Sequence, residues 1–221
     1  MSAGTTVVLD YGAGNLKSVE NALRFLGARF RVTSRPEGLD DAEGLIFPGV
    51  GEAAASMTVL RRTGLDRGLR DFLSSGRKIL GICIGCQVIF DSSEERDTRC
   101  LGIVPGAVRR FPPGTGLKVP HMGWNAVRVT RPHPVFDGIP PETRFYFVHS
   151  YYPVPADPAV IAAETDYGVL FPSCIARDNL VAFQCHVEKS GHYGLKLLEN
   201  FLAWDGRLAP LRSGAAGVAR A

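Results

Sequence analysis

The sequence predicts an α/β protein with a doubly wound, mostly parallel sheet, flanking helices and a β-rich second half. Up to Phe90, short apolar runs alternate with segments of helical periodicity, which is typical of a parallel sheet covered by helices. After Phe90 the helical periodicity gives way to short apolar runs separated by prolines, which indicates strands. The 221 residues, of which 45% are hydrophobic and 21% charged, match the size and composition of one globular domain.

The first half of the chain is predicted to contain four strands with helices between them. Residues 5–10 form a β-rich run that ends at a turn opened by two glycines. Apolar residues then recur at helical spacing from Leu16 to Leu26, and Gly27 is expected to end this helix. The other predicted elements are strands at 30–33, 44–47 and 78–82, and a helix marked by Leu65, Leu69, Phe72 and Leu73 that Gly76 ends. In such sheets, functional sites form at the carboxyl ends of the strands.

The second half is predicted to contain strands followed by one helix. The predicted strands are residues 104–111, 126–130, 145–150, 160–164, 174–176 and 180–185. The last two flank residues 177–179, which indicates a hairpin. The apolar face of the final helix is predicted at Tyr193, Leu197, Leu198, Phe201 and Leu202. Residues 206–221 are rich in Gly, Ala and Arg without periodicity, so we interpret them as a tail and residues 1–205 as the single domain.

Charge, cysteine content and the length of the apolar runs argue against several classes of protein. The formal net charge of +3 is small and its Lys and Arg residues are scattered, so the sequence does not predict nucleic-acid binding. The apolar runs are far shorter than a bilayer span, and no signal segment precedes the first strand. The five cysteines are an odd and sparse set, which indicates reduced thiols. We therefore predict a cytoplasmic protein without a membrane segment.

Residues 81–87, with the sequence Gly-Ile-Cys-Ile-Gly-Cys-Gln, organise the predicted site. A strand pattern precedes Cys83 and a helix-compatible run follows it, while Gly81 and Gly85 flank it at two-residue spacing. This is the pattern of a nucleophile elbow, in which a sharp turn presents the nucleophile at the end of a strand. Glycine is needed where such a turn leaves no room for a Cβ atom. We predict that Cys83 is an exposed nucleophile whose thiolate is favoured by the N-terminus of the following helix.

A base for Cys83 is predicted at His186, which follows the apolar run at residues 180–185. Glu188 lies two residues further on, and in extended backbone two such side chains project to the same side. The carboxylate can then hold one imidazole nitrogen and leave the other for the sulfur. The loop Gly49-Val50-Gly51, at the end of a neighbouring strand, can aim backbone N–H groups at an oxyanion. These features predict acyl transfer through a thioester.

Each of these features also has a simpler explanation. A cysteine is often a small buried hydrophobe, a strand-end histidine is commonly structural, and the glycines at 49–51 also fit a plain turn. Cys83 and Cys86 form a Cys-x-x-C pair, but a redox motif of this kind is expected near the start of a thioredoxin-like chain. The histidines other than His186 are too dispersed to suggest zinc, so we predict no metal and no cofactor.

The elbow and residues 184–190, Gln-Cys-His-Val-Glu-Lys-Ser, resemble the nucleophile and His/Glu motifs of the class I, triad-type glutamine amidotransferases. Further stretches narrow the resemblance to the glutaminase subunits of that family that serve histidine biosynthesis. They are residues 10–16, 48–51, 120–125 and 147–152, of which the last two are specific to that branch. The resemblance covers residues 7–204 and leaves only the tail outside it.

The resemblance implies that glutamine is the substrate. Cys83 would attack its carboxamide and release ammonia, and water would hydrolyse the thioester to glutamate. His186 would move the protons, Glu188 would orient His186, and the N–H of Ile84 would join Gly49, Val50 and Gly51 in the oxyanion hole. The residues implied to bind glutamine are Gly51, Gln87, Glu95, Ser150 and Tyr151.

The resemblance also implies a partner protein. In this branch of the family the ammonia passes to a cyclase of the (β/α)8-barrel type, so a heterodimer is expected. The residues implied at the interface are Asn15, His121, Met122, Trp124 and Asn125. An exposed Trp124 would be an anchor of that interface, whereas a buried one would be ordinary core packing.

The sequence departs from the family pattern beside the His/Glu pair. Val187 stands where the family usually has proline, and Cys185 where it usually has phenylalanine; Cys86 replaces a methionine or histidine. Valine restricts the backbone less than proline does. Two alternatives stay open: a glutaminase that serves another synthase, against which residues 120–125 argue, and a binding or scaffold protein that keeps the fold without turnover.

Overall fold

The structure is a computed structural model that describes residues 5–114 and 116–207. The elements of the first half are β1 (Thr6–Leu9), α1 (Leu16–Phe25), β2 (Phe30–Thr33), β3 (Gly44–Phe47), α2 (Ala53–Thr63), α3 (Leu65–Ser74), β4 (Lys78–Ile82) and α4 (Ile84–Gln87). Those of the second half are β5 (Ser92–Ser93), β6 (Thr98–Arg99), β7 (Gly106–Arg110), β8 (His121–Ala126), β9 (Arg128–Val129), β10 (Arg144–His149), β11 (Tyr151–Pro155), β12 (Ile161–Asp166), β13 (Leu170–Arg177), β14 (Leu180–Phe183) and α5 (Gly191–Ala203).

The central sheet has eight strands in the order β2-β1-β3-β4-β14-β13-β12-β9. The strands from β2 to β14 in this order are parallel, and the remaining pairs are antiparallel. Two smaller sheets pair β10 with β8, and join β11, β7, β5 and β6. The prediction of an α/β fold with a mostly parallel sheet and a β-rich second half is confirmed.

The parallel strands β1, β3, β4 and β14 are buried on both faces of the sheet, whereas the edge strand β2 is partly exposed. Along β3, Leu45 and Phe47 belong to one apolar cluster and Ile46, between them, belongs to the other. This alternation follows from the period of two along a strand, and two covered faces are typical of parallel sheets. Phe72 of α3 lies in the first cluster and Phe201 of α5 in the second, so helices cover both faces.

The pairing of β4 with β14 places the two predicted catalytic segments side by side. Ile82, the last residue of β4, lies opposite Phe183, the last residue of β14. Cys83 and Gln184 therefore leave the sheet at adjacent strand ends, and His186 follows two residues later. This is the carboxyl edge of the sheet, where the sequence predicts the site.

Several elements differ from the prediction. Helix α2 is absent from it because its inner face includes the small or polar residues Ala53 and Ser56 beside Met57 and Leu60, which obscures the helical period. The predicted strand at 126–130 is reduced to β9, and the preceding residues form β8 instead. The helix expected after Cys83 is the single turn α4. Residues 208–221 of the predicted tail lie outside the described residues, and no helix of the described part is long and apolar enough to cross a membrane.

Candidate active site

Cys83 occupies a strained turn between β4 and α4. Its backbone lies at φ 53° and ψ −104°, a region that residues with a Cβ atom rarely adopt. A Cβ on Gly85 would lie 1.9 Å from the carbonyl oxygen of Phe47, and one on Gly81 would lie 2.9 Å from that of Gly85. Only glycine fits at these two positions, which gives the Gly-x-Cys-x-Gly pattern a steric cause.

Cys83, the predicted nucleophile, lies in the wall of a cavity of about 260 Å³. The cavity is lined by Val50, Gly51, Cys83, Ile84, Gln87, Glu95, Pro120, Val148, His149, Ser150, Tyr151 and His186. All five residues implied to bind glutamine are among them. Cys83 itself is only 4% exposed, so the prediction of an exposed cysteine is wrong. A sharp turn predicts where the sulfur projects, whereas the segments that cover it come from distant parts of the chain.

His186 and Glu188 form a buried pair beside this cavity. Nδ1 of His186 lies 2.7 Å from Oε1 of Glu188, and both side chains are almost inaccessible to solvent. The local geometry differs from the expected extended backbone, because Val187–Lys189 form a 3-10 turn. The backbone N–H of His186 donates to the carbonyl of Tyr146 over 2.8 Å, which anchors the start of this turn on β10.

The charge state of His186 depends on its two neighbours. Burial lowers the pKa of His186, but the interactions with Cys83 and Glu188 outweigh burial and raise this pKa to about 10. The ring is therefore protonated at neutral pH, and an imidazolium stabilises the negative charge of a nearby thiolate. Nε2 of His186 has no hydrogen-bond partner of normal geometry among the described residues. The helix dipole adds little, because α4 is one turn long.

The other cysteines differ from Cys83 in their surroundings. Burial raises the pKa of Cys86, of Cys174 and of Cys185, and that of Cys100 to about 11. These thiols are neutral at physiological pH and have no disulfide. A redox pair of Cys83 with Cys86 finds no support in such a site, since thiol exchange requires a thiolate.

The loop after β1 touches both the His/Glu pair and the glycine loop. Asn15, in the left-handed region at φ 59°, donates from its side-chain amide to Oε1 of Glu188. Two residues earlier, the carbonyl of Ala13 accepts the backbone N–H of Val50 at 2.8 Å. One short loop therefore holds both parts of the site, a contact that the sequence did not predict.

Two of the N–H groups predicted to form the oxyanion hole, those of Val50 and Ile84, are engaged elsewhere in this structure. The N–H of Val50 points to Ala13, and the N–H of Ile84 lies 3.4 Å from the carbonyl of Gly49. A donor that faces a backbone carbonyl is not available to a developing oxyanion. The loop Gly49-Val50-Gly51 must therefore turn over before these groups can stabilise a tetrahedral intermediate. The oxyanion-hole assignment stays a prediction.

Two glutamines connect Cys83 to the opposite wall of the cavity. Nε2 of Gln87 donates to the carbonyl of Tyr151 at 2.9 Å and to Oε1 of Gln184 at 3.0 Å. Nε2 of Gln184 lies 3.9 Å from Sγ of Cys83. The sequence-based predictions assign no role to Gln184. The visible signal is a polar residue directly after an apolar strand, and the structure shows that this residue is fully buried.

Glu95 lies in the 3-10 turn between β5 and β6 and faces the first turn of α2. Its Oε2 accepts the backbone N–H of Ala53 at 2.7 Å. Burial raises the pKa of Glu95, while the hydrogen bond from Ala53 lowers it. A carboxylate here can receive the ammonium group of an amino acid, which agrees with the implied contact to glutamine.

The residues implied at a partner interface fall into two groups. Met122 and Trp124 of β8 are 63% and 51% exposed, so Trp124 is not core packing. His121 is 3% exposed, because successive residues of a strand face opposite sides, and its side chain cannot contact a partner without rearrangement. Asn15 points inward to Glu188. Within the described residues no cluster of His, Cys, Asp and Glu has the arrangement of a metal site.

The fold and the site define a class of protein. Residues 7–204 match the family model described as glutamine amidotransferase class-I, and the chain belongs to this family. The curated relatives narrow the similarity to one kind of glutaminase. The imidazole glycerol phosphate synthase subunit HisH of Dehalococcoides mccartyi is 52% identical over 195 residues, which cover 88% of this chain and 94% of that protein. The protein of the same name from Chloroflexus aurantiacus is 47% identical over 207 residues, or 92% and 97% of the two chains.

Solved structures of lower sequence identity support the fold. The structure of PurLQS from Thermotoga maritima has a TM-score of 0.72 at 19% identity and covers 90% of this chain and 98% of its own. A glutamine amidotransferase from the same organism has a TM-score of 0.64 at 15% identity, with coverages of 91% and 83%. The resemblance stated from the motifs is confirmed.

Proposed function

We propose that this chain hydrolyses glutamine at Cys83 and supplies the ammonia as the glutaminase subunit of an imidazole glycerol phosphate synthase. The observation that carries the proposal is the position of Cys83 on a strained elbow beside the buried His186 and Glu188 pair, in a cavity of about 260 Å³. The relatives named above support the choice of synthase and its place in histidine biosynthesis. A glutaminase for another synthase has no comparable support.

The reaction follows from the charges of the site. The Cys83 thiolate attacks the carboxamide carbon of glutamine and forms a tetrahedral intermediate. His186, protonated before the attack, gives its proton to the leaving nitrogen, and ammonia departs with formation of a thioester. His186 then takes a proton from water, hydroxide adds to the thioester, and glutamate leaves as Cys83 is restored. Glu188 keeps the ring in the orientation that both proton transfers need.

The resting state of the glycine loop makes the chain dependent on its partner. In this state the N–H groups of Val50 and Ile84 face backbone carbonyls, so the intermediate lacks these two donors. The carbonyl that holds Val50 belongs to Ala13, on the loop that also carries Asn15. A partner that contacts this loop would release Val50 and allow the oxyanion hole to form. We expect slow hydrolysis by the isolated chain.

The relatives are subunits of a synthase, and a partner protein is implied for this chain as well. We propose that the partner is a (β/α)8-barrel cyclase that docks on the face of β8 with Met122 and Trp124, the large exposed apolar side chains of that strand. Direct transfer keeps the ammonia nucleophilic, because in neutral water most of it would be protonated.

Glutamate release measured with and without the cyclase and its ligand tests the proposal. We expect a slow rate for the chain alone and a large increase in the mixture. A glutamine analogue with an electrophilic carbon should label Cys83, which mass spectrometry of the labelled peptide detects. A scaffold protein would give neither labelling nor hydrolysis in the complex, and full activity without a partner would contradict the coupling.

A further inference from the structure

We propose that His121 and His149 are positioning residues for the glutaminase reaction: as a hydrogen-bonded pair they fix the carbonyl of Tyr151 and, through it, the amide of Gln87 in the substrate cavity. The proposal rests on the function proposed above and deepens it. Neither ring takes part in the chemistry at Cys83. His149, on β10, is part of the cavity wall, and His121, on β8, acts on that wall through His149.

The two rings face each other across the small sheet of β8 and β10. His121 and His149 are directly opposite residues in this antiparallel pair. Nδ1 of His121 lies 2.9 Å from Nε2 of His149, and Nδ1 of His149 lies 2.7 Å from the carbonyl oxygen of Tyr151. At the other end, the side-chain amide of Asn125 lies 3.4 Å from Nε2 of His121. These contacts form one chain of hydrogen bonds from β8 to the cavity.

The two groups at the ends of this series of hydrogen bonds, the carbonyl of Tyr151 and the amide of Asn125, determine the direction of every hydrogen bond between them. The carbonyl of Tyr151 can only accept, so His149 carries its proton on Nδ1 and its Nε2 accepts from His121. His121 then also carries its proton on Nδ1, and its Nε2 accepts from Asn125. The amide of Asn125 is itself fixed, since its oxygen accepts the N–H of Ala126 at 2.8 Å. Both rings must therefore be neutral and in the same tautomer.

The surroundings of the pair preserve this neutral state. His121 stacks on Tyr167 at a centroid distance of 3.9 Å and on Phe147 at 4.9 Å. His149 packs on Phe171 at 5.1 Å. Burial lowers the pKa of His121 to about 4 and that of His149 to about 3. No proton therefore disturbs the pair at physiological pH.

The series of hydrogen bonds continues from Tyr151 to the sulfur of Cys83. The carbonyl of Tyr151 accepts from His149 and from Gln87, so it joins the histidine pair to the cavity. Gln87 continues to Gln184, whose amide lies 3.9 Å from Sγ of Cys83. Loss of the donor on His149 leaves this carbonyl held by Gln87. The part of the cavity wall at Tyr151 and Gln87 then becomes more mobile. The His186 and Glu188 pair is less affected, because Asn15 and the carbonyl of Tyr146 hold it independently.

The side chains of β8 alternate between the inner and the outer face of the strand, which links the histidine pair to the outer face. His121 faces inward, whereas Met122 and Trp124 on the same strand are exposed. A partner that presses on these two side chains would shift the strand that carries His121. The pair can therefore transmit contact on the outer face of β8 to the wall of the cavity.

Asparagine and leucine variants of His121 test the proposal. Asn and Leu have nearly the same shape, so H121N and H121L lose the same ring packing, but only Asn keeps a donor close to the Nδ1 position. Glutaminase kinetics are measured on the complex with the cyclase. We expect the KM for glutamine to rise about tenfold in H121L and to stay within about threefold of wild type in H121N, with smaller changes in kcat. Thermal unfolding checks that both variants are folded.

The control is Tyr167→Phe, which removes the hydrogen bond from Tyr167 to the carbonyl of Lys118 but keeps the ring that stacks on His121. We expect wild-type KM and kcat for this variant. Equal KM values in H121N and H121L would overturn the proposal, because ring packing alone would then explain the effect. An inactive wild-type complex would instead refute the proposed function.

Nitrogen NMR of the wild-type chain provides a measurement that needs no variant. Both His121 and His149 should be neutral at pH 7, with the proton on Nδ1. This tautomer is the less common one in free histidine, so its presence in two rings is diagnostic of the chain of hydrogen bonds. A proton on Nε2 of either ring, or a charged ring at pH 7, would overturn the proposal even if H121L fails to fold.

Discussion

Asn15 donates a hydrogen bond from its side-chain amide to Oε1 of Glu188, the carboxylate oxygen that also accepts from His186. The other oxygen, Oε2, is buried and has no hydrogen-bond partner among the described residues. One edge of the carboxylate is therefore held from two sides, by the loop after β1 and by the turn after β14. Glu188, which holds the ring of His186, is therefore itself held by a residue 173 positions away in the chain.

The first prediction concerns this contact. Asn15→Gly removes the amide but keeps the left-handed backbone at φ 59°, which glycine adopts without strain. Because Glu188 loses one of its two donors, we expect kcat for glutamine hydrolysis to fall about tenfold with little change in KM. Steady-state kinetics of the complex measure this. An unchanged kcat at saturating partner concentration would show that His186 alone orients the carboxylate.

The second prediction separates the chemistry of Cys83 from its strain. Cys83→Ala and Cys83→Gly both remove the sulfur, so hydrolysis should fall by at least about a thousandfold in each. The glycine variant also relieves the backbone at φ 53°, and we expect it to be more stable than the alanine variant by about 1 kcal/mol. Urea unfolding and partner titration check stability and binding. Hydrolysis retained by either variant would refute the nucleophile.

The main elements of the site could be predicted because their causes are local. The glycines around Cys83 are required by contacts within the elbow and with the adjacent strand, and His186 and Glu188 are neighbours in the chain. A pattern of this kind is visible in the sequence. The burial of Cys83 was predicted wrongly, because it depends on segments such as Ser150 and Tyr151 that the sequence does not place over the elbow.

The contacts of Asn15 and of the histidine pair could not be predicted, for a related reason. They depend on the register of β8 against β10 and on the proximity of the loop after β1 to the turn after β14. A shift of β8 by one residue would expose His121 and bury Met122. Alternation along β8 was predictable only if the strand had been recognised, and Gly123 interrupts its apolar pattern.

The third prediction is the pH dependence of stability that His186 contributes. The pKa of His186 is raised from an unfolded value near 6.5 to about 10, so the folded state binds a proton more tightly than the unfolded state. This stabilisation is complete below the unfolded pKa and is lost as pH rises through the folded pKa. Glu188→Gln removes one cause of the raised pKa.

Urea unfolding at about pH 6 and about pH 10 tests this dependence. The wild-type chain should lose more free energy of unfolding between the two values than Glu188→Gln does. The comparison of the two proteins cancels the titration of groups that they share. Equal losses would mean that Glu188 does not stabilise the protonated ring.

The last prediction concerns the residue between the histidine and the glutamate. Val187 is the first residue of the 3-10 turn, a position where proline fits, and His186 before it, at φ −87° and ψ 90°, lies outside the α region that a following proline disfavours. Val187→Pro should therefore stabilise the chain by about 0.4–1 kcal/mol through the unfolded state and leave kcat within about twofold of wild type. Val59→Pro, inside α2, is the matched control and should cost about 3 kcal/mol. If Val187→Pro lost stability as Val59→Pro does, or lost hydrolysis, the turn would not tolerate a fixed φ at this residue, and the departure from the family pattern would reflect a different path of the backbone between His186 and Glu188.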